Sequence, residues 1–181
     1  RNATASGTGI LTQNSTVFEG QSPAAGDWAQ ARYPGVIGNA VGVSVLTATQ
    51  TGTAWQIARS EGAPGTSAGA AAVGGSNDEI HVWVYDVNGS ITGELGTVLE
   101  TWTYLSQASD VKGSDGSSLY YKDVINAGSK WVHIGNHPAA LTDAGESATG
   151  NAFTNVATFF IALTGGIDDN ALTVGETTTA L

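Results

Sequence analysis

Hydrophobic alternation along the chain is sharpest in Glu79–Asp86, where Ile80, Val82 and Val84 interleave with His81, Trp83 and Tyr85. Both sets are large, so the run predicts a β-strand covered on both faces. Thr97–Leu105 carries a second alternating run, with Val98, Thr101 and Thr103 against Trp102 and Tyr104, and predicts the returning partner. The ten-residue link between them opens at Asn88-Gly89 and contains three glycines, which makes it longer than a tight hairpin.

Weaker patterns extend the list. Pro34-Gly35 is a turn signal, and the alternation in Ala40–Leu46 after it predicts a strand. Tyr120 to Val132 joins a helix-like run to an apolar strand, Trp131–Ile134. Asn126 and Ser129 lie at the junction, where such side chains bond to backbone. Tyr121, Val124 and Ile125 are its expected buried face. Phe153–Leu163 reads as a last strand, closed by Gly165-Gly166 and Asp168-Asp169-Asn170. Residues 1–30 read as loop with a short strand near Ile10-Leu11, and Gly62–Asn77 as a surface loop too rich in glycine for a stable helix. Ser106–Ser118 and Asn136–Gly150 are polar loops. Thr173 with Glu176 forms a capping box that opens a helix toward Leu181. The expected fold class is α+β and β-rich: a mixed β-sheet or sandwich-like domain with a few short flanking helices.

Composition narrows the partners. Hydrophobic residues make up 41% of 181, enough for a buried core. Six Lys and Arg oppose 16 Asp and Glu, for a formal charge of -10, a surface that repels phosphate and makes nucleic acid and anionic membrane poor partners. With no cysteine there are no disulfides, thiolate nucleophiles or Cys–zinc sites. The longest candidate for a spanning segment, Val156–Leu163, is strand-sized, against the roughly 20 residues of a membrane helix. The lack of methionine and a capping box that opens so close to Leu181 lead us to expect a piece of a longer polypeptide.

The candidate chemistry is thin. His133 and His137 stand four apart, a ligand spacing on a helix, but His133 falls on a predicted strand and Pro138 follows His137. His81, inside an alternating strand, reads as a packed or interface imidazole. Asp86-Val87-Asn88-Gly89-Ser90 and Asp168-Asp169-Asn170 offer oxygen donors beside glycine, without the full calcium-loop spacing, and turn chemistry accounts for both. Trp28, Trp55, Trp83 and Trp102 would make a sugar-binding platform if exposed, or core if not. No phosphate-binding glycine fingerprint occurs. No catalytic, cofactor-binding or metal-binding residue is assigned.

Four segments, in order, resemble the contractile tail sheath proteins of myovirus-type bacteriophages, those of T4-like phages and cyanophages above all. They are Ala31-Arg32-Tyr33-Pro34-Gly35-Val36-Ile37-Gly38-Asn39, the strand pair Asp78–Tyr85 with Thr97–Ser106, the Tyr120–Val132 unit, and Leu163-Thr164-Gly165-Gly166-Ile167-Asp168. The resemblance implies a non-enzymatic structural subunit without cofactor. It would be a homo-oligomer of stacked hexameric rings in a helical sheath, partnered by tail tube and baseplate proteins, located in the virion and in host cytoplasm during assembly. It further implies 31–165 as a β-rich middle domain and 166–181 as the start of a following inner domain within a larger multidomain subunit, while the composition of residues 1–30 reads as the end of a preceding domain or a loop and strand segment. The alternatives are a carbohydrate-binding or adhesin-type β-domain, then a hydrolase, or the related sheath of a bacterial contractile injection system.

Overall fold

A computed structural model describes residues 1–21, 27–48 and 62–168. Among these residues, seven strands form two antiparallel sheets. The smaller has the order β1-β2-β6, from β1 (Asn2–Thr4), β2 (Ala29–Pro34) and β6 (Val132–Ile134). The larger has the order β5-β4-β3-β7, from β3 (Val41–Thr47), β4 (Glu79–Asp86), β5 (Val98–Ser106) and β7 (Phe159–Ala162). Among the described residues three short helices flank them: α1 (Ser15–Glu19), α2 (Ala68–Ala72) and α3 (Tyr121–Gly128), with a 3-10 turn at Val36–Ala40. The expected β-rich α+β class is therefore the one observed.

The alternation in β3 and β4 dictates the main core. Val41, Val43 and Val45 face Asp86, Val84 and Val82 across the ladder, and these valines with Ile80 join Ala29, Ala31, Val132 and Ile134 of the smaller sheet and Tyr121 and Ile125 of α3 in one buried cluster. The opposite face of β4 is also buried at His81 and Trp83, as its double-sided pattern predicts. A second, smaller core joins Ala70, Ala108, Val111, Ala148 and Phe153.

Edge strand β5 is irregular. Its pairing with β4 shifts between Ile80/Val82 and again between Val84/Tyr85, and Tyr104 sits in the left-handed region at φ 55. The His81 ring fixes the first bulge. Its Nδ1 accepts from the Tyr104 N–H at 3.0 Å while Nε2 lies 2.9 Å from the Gly62 carbonyl. Bulges of this kind twist an edge away from further pairing.

Several expected elements differ. The strand near Ile10-Leu11 is a single bridge from Ile10 to Asn2, and the real strand, Asn2–Thr4, comes before Gly7 and Gly9. Hydropathy conceals it because Asn2 and Thr4 are polar yet buried. Asn2 Nδ2 donates to the Ala31 and Arg32 carbonyls, and its Oδ1 accepts from Thr12 N. The strand begins at Ala29, ahead of the expected turn, so residues 1–30 supply β1, α1 and the first residues of β2. The glycine-rich run 62–77 is not all loop. Ser67 caps α2 through Ala70 N at 3.1 Å, and Ala70 is buried; three consecutive alanines after a good cap outweigh one glycine. Only Phe159–Ala162 of the expected Phe153–Leu163 strand is extended, since Phe153 turns into the second core. The helix expected from Thr173 lies outside the described residues.

Candidate functional site

The family-like segments meet in pairs, and each meeting point is built from the residues that made the segment distinctive. The first joint brings Tyr33–Asn39 against Leu163–Asp168. Asn39 bonds Gly166 in both directions, Nδ2 to the carbonyl at 3.0 Å and Oδ1 from the amide at 2.8 Å. Asp168 accepts from Val36 N at 2.8 Å. Gly35 has φ 99, and a Cβ there would run into the Asp168 carboxylate. A Cβ on Gly166 would strike the Gly35 carbonyl, and one on Gly165 (φ 82) the backbone of Gly7 and Gly9. The Pro-Gly and Gly-Gly pairs are thus explained by close backbone approach to one another and to the first turn. Val36, Ile37, Tyr33 and Ile167 are exposed around this joint, beside a cleft of about 310 Å³ lined by Arg1, Leu11, Ile167 and Asp168.

The second joint locks α3 onto β6 and ties both to β5. Asn126 mimics a strand neighbour, donating to the Ile134 carbonyl at 2.8 Å and accepting from Ile134 N at 2.7 Å. The Ser129 hydroxyl accepts from Trp131 N and Val132 N and donates to Glu100 at 2.6 Å. Glu100 also takes Lys130 N at 2.6 Å and Trp102 Nε1 at 3.3 Å. The Trp102 ring lies over Gly128, where a Cβ would come within 2.6 Å of it. Arg32, from the first segment, reaches across to the Asn126 carbonyl at 2.6 Å and the Val132 carbonyl at 3.2 Å, a cation at the last turn of a helix. Burial lowers its pKa, with Glu100 opposing. Tyr121 and Ile125 are buried and Val124 is half-buried, as expected for two of the three.

Ionisable groups elsewhere are spent on structure. The His133 ring stacks on Phe18 with centroids 4.3 Å apart; burial, then the Arg32 charge, pushes its pKa down to about 4. His137 Nδ1 meets the Tyr121 hydroxyl at 2.6 Å, and burial followed by the charge of Lys122 lowers its pKa. The two histidines serve different partners, and among the described residues no cluster of three His, Asp or Glu could hold a metal. Burial opposes ionisation of Asp86, but four bonds from Gly89, Ile91 and Thr92 outweigh it and hold the carboxyl below its usual range. Buried Asp78 accepts from Ser67 N, Ser67 Oγ and Ser106 Oγ, a hub that sequence reading missed because one acid before a strand carries no pattern.

No family model matches the chain, and no curated protein matches it. The joints therefore have to speak for themselves. Trp28 and Trp83 are buried and Trp102 is packed on Gly128, so these three form no exposed platform; Trp55 lies outside the described residues.

Proposed function

We propose that this chain belongs to the structural subunit of a contractile phage tail sheath. Such subunits polymerise as stacked hexameric rings around a tail tube and shorten to drive the tube through the host envelope. One observation carries the reading: four segments scattered over the chain, picked out by their resemblance to sheath proteins, pair into two mechanical joints whose glycines, Asn39, Asn126, Ser129 and Glu100 are used on one another.

A contractile array stores its energy between subunits and releases it as they move as rigid bodies. Each subunit must then be stiffer than its contacts. A helix clamped to a strand at both backbone and side-chain level meets that requirement. The excess of acidic groups fits a surface that stays clear of nucleic acid while many copies pack side by side.

Ultracentrifugation of the intact gene product tests the proposal. The expected result is a fast-sedimenting polymer. A product that stays monomeric across protein and salt concentrations overturns it.

A further inference from the structure

The link between β4 and β5 surrounds the chain's one Asn-Gly pair with the groups that succinimide formation requires. Asn88 is exposed. Gly89 follows at φ 78 with no side chain to shield its nitrogen, and its N–H donates to Oδ1 of Asp86 at 2.9 Å. The other Asp86 oxygen takes Ile91 N, Thr92 N and the Thr92 hydroxyl, so Oδ1 is the less saturated of the two and faces the Gly89 proton. On the far side, Ser90 N–H donates to Oδ1 of Asn88 at 3.0 Å, the oxygen on which negative charge collects when the amide carbon is attacked.

We propose that Asn88 is a self-modifying site, in which Asp86 serves as base for the Gly89 nitrogen and the Ser90 amide steadies the oxyanion. The bond from Gly89 N to Asn88 Cγ forms as Asp86 takes the proton. The Cγ–Nδ2 bond then breaks, and Nδ2 leaves as ammonia carrying that proton. Water opens the resulting five-membered imide at either carbonyl, leaving an aspartyl or isoaspartyl residue at position 88. The product adds a negative charge beside buried Asp86, and its iso form lengthens the β4–β5 link by one main-chain carbon. The change is slow, one-way and independent of the sheath proposal.

The molecule holds its own control. At Asp115-Gly116 the following Ser117 N donates to Asp115 Oδ1 at 3.0 Å, the same turn. There, however, Gly116 N donates to the Gly113 carbonyl, which is no base, and the side chain offered for attack is a carboxylate in place of an amide.

The test incubates the full chain at neutral pH, folded and in urea, and follows each site by peptide mapping with mass spectrometry and enzymatic isoaspartate labelling. Asn88 is expected to convert about tenfold faster or more in the folded chain than in urea, below the ~10²–10⁴-fold typical of general-base assistance because Asp86, held below the usual carboxylate range, is a weak base, with Asp115 unchanged. Asp86→Asn should bring the folded rate down to the urea rate or below. A folded rate no faster than the urea rate overturns the proposal, and that comparison decides the matter even if Asp86→Asn fails to fold.

Discussion

Replacing Ile125 with alanine tests the clamp between α3 and β6 at its most enclosed point. The side chain is fully buried in the main core with Tyr121, Val132 and Ile134. The substitution removes about three methylene equivalents at ~0.8 kcal/mol each, some 2.4 kcal/mol of transfer free energy. A residual cavity adds ~1–2 kcal/mol, and alanine's better helix propensity returns ~0.4 kcal/mol. The expected loss is about 3–4 kcal/mol, a large share of the ~5–15 kcal/mol that holds a typical domain. Urea unfolding followed by tryptophan fluorescence reads it as a lower midpoint at unchanged slope. Val124→Ala, on the half-buried side of the same helix, should cost only about 1 kcal/mol. If Ile125→Ala costs under about 1 kcal/mol, or no more than Val124→Ala, α3 is not clamped as described.

Gly166→Ala forces a methyl into the Gly35 carbonyl and should cost about 2–3 kcal/mol in the same urea assay; a neutral result would mean the first joint is loose. Asp78→Ala strands Ser67 N and the Ser67 and Ser106 hydroxyls, all in buried residues, for an expected loss of about 3 kcal/mol; a cost below about 1 kcal/mol would rule out the hub. Stability should also fall with acidification. His133 stays neutral when folded down to about pH 4, whereas unfolded histidine protonates near pH 6.5, at about its ordinary pKa. Between those values the unfolded state binds the extra proton, so stability present above the upper pH is lost as pH falls through the window. The full shift is worth ~3 kcal/mol, reduced to ~1–2 kcal/mol by solvent screening, with His137 acting in the same direction. A urea midpoint that is flat over this range, or rises, contradicts the assignment, and His133→Gln should flatten most of it.

Legibility in the sequence followed residue size and polarity. β3, β4, β5 and α3 announce themselves because large apolar side chains repeat at the right period, and Asn126 and Ser129 make the turn bonds their chemistry predicts. β1 and the start of β2 stay hidden because Asn2, Thr4 and Gln30 are buried polar residues, and their hydrogen bonds exist only after folding. The glycines of the first joint were visible one at a time as turn signals. That Gly35 yields to Asp168 and Gly166 to Gly35 is a contact across most of the chain, which no local pattern encodes. Asp86 was readable as turn chemistry, but the base it offers Gly89 was not, since that depends on which oxygen the folded loop leaves open.

Electron microscopy of the intact gene product tests the central claim most directly. The account predicts striated tubes with helical symmetry and six subunits per ring. Monomers or irregular aggregates, across conditions in which the protein stays folded, would contradict it.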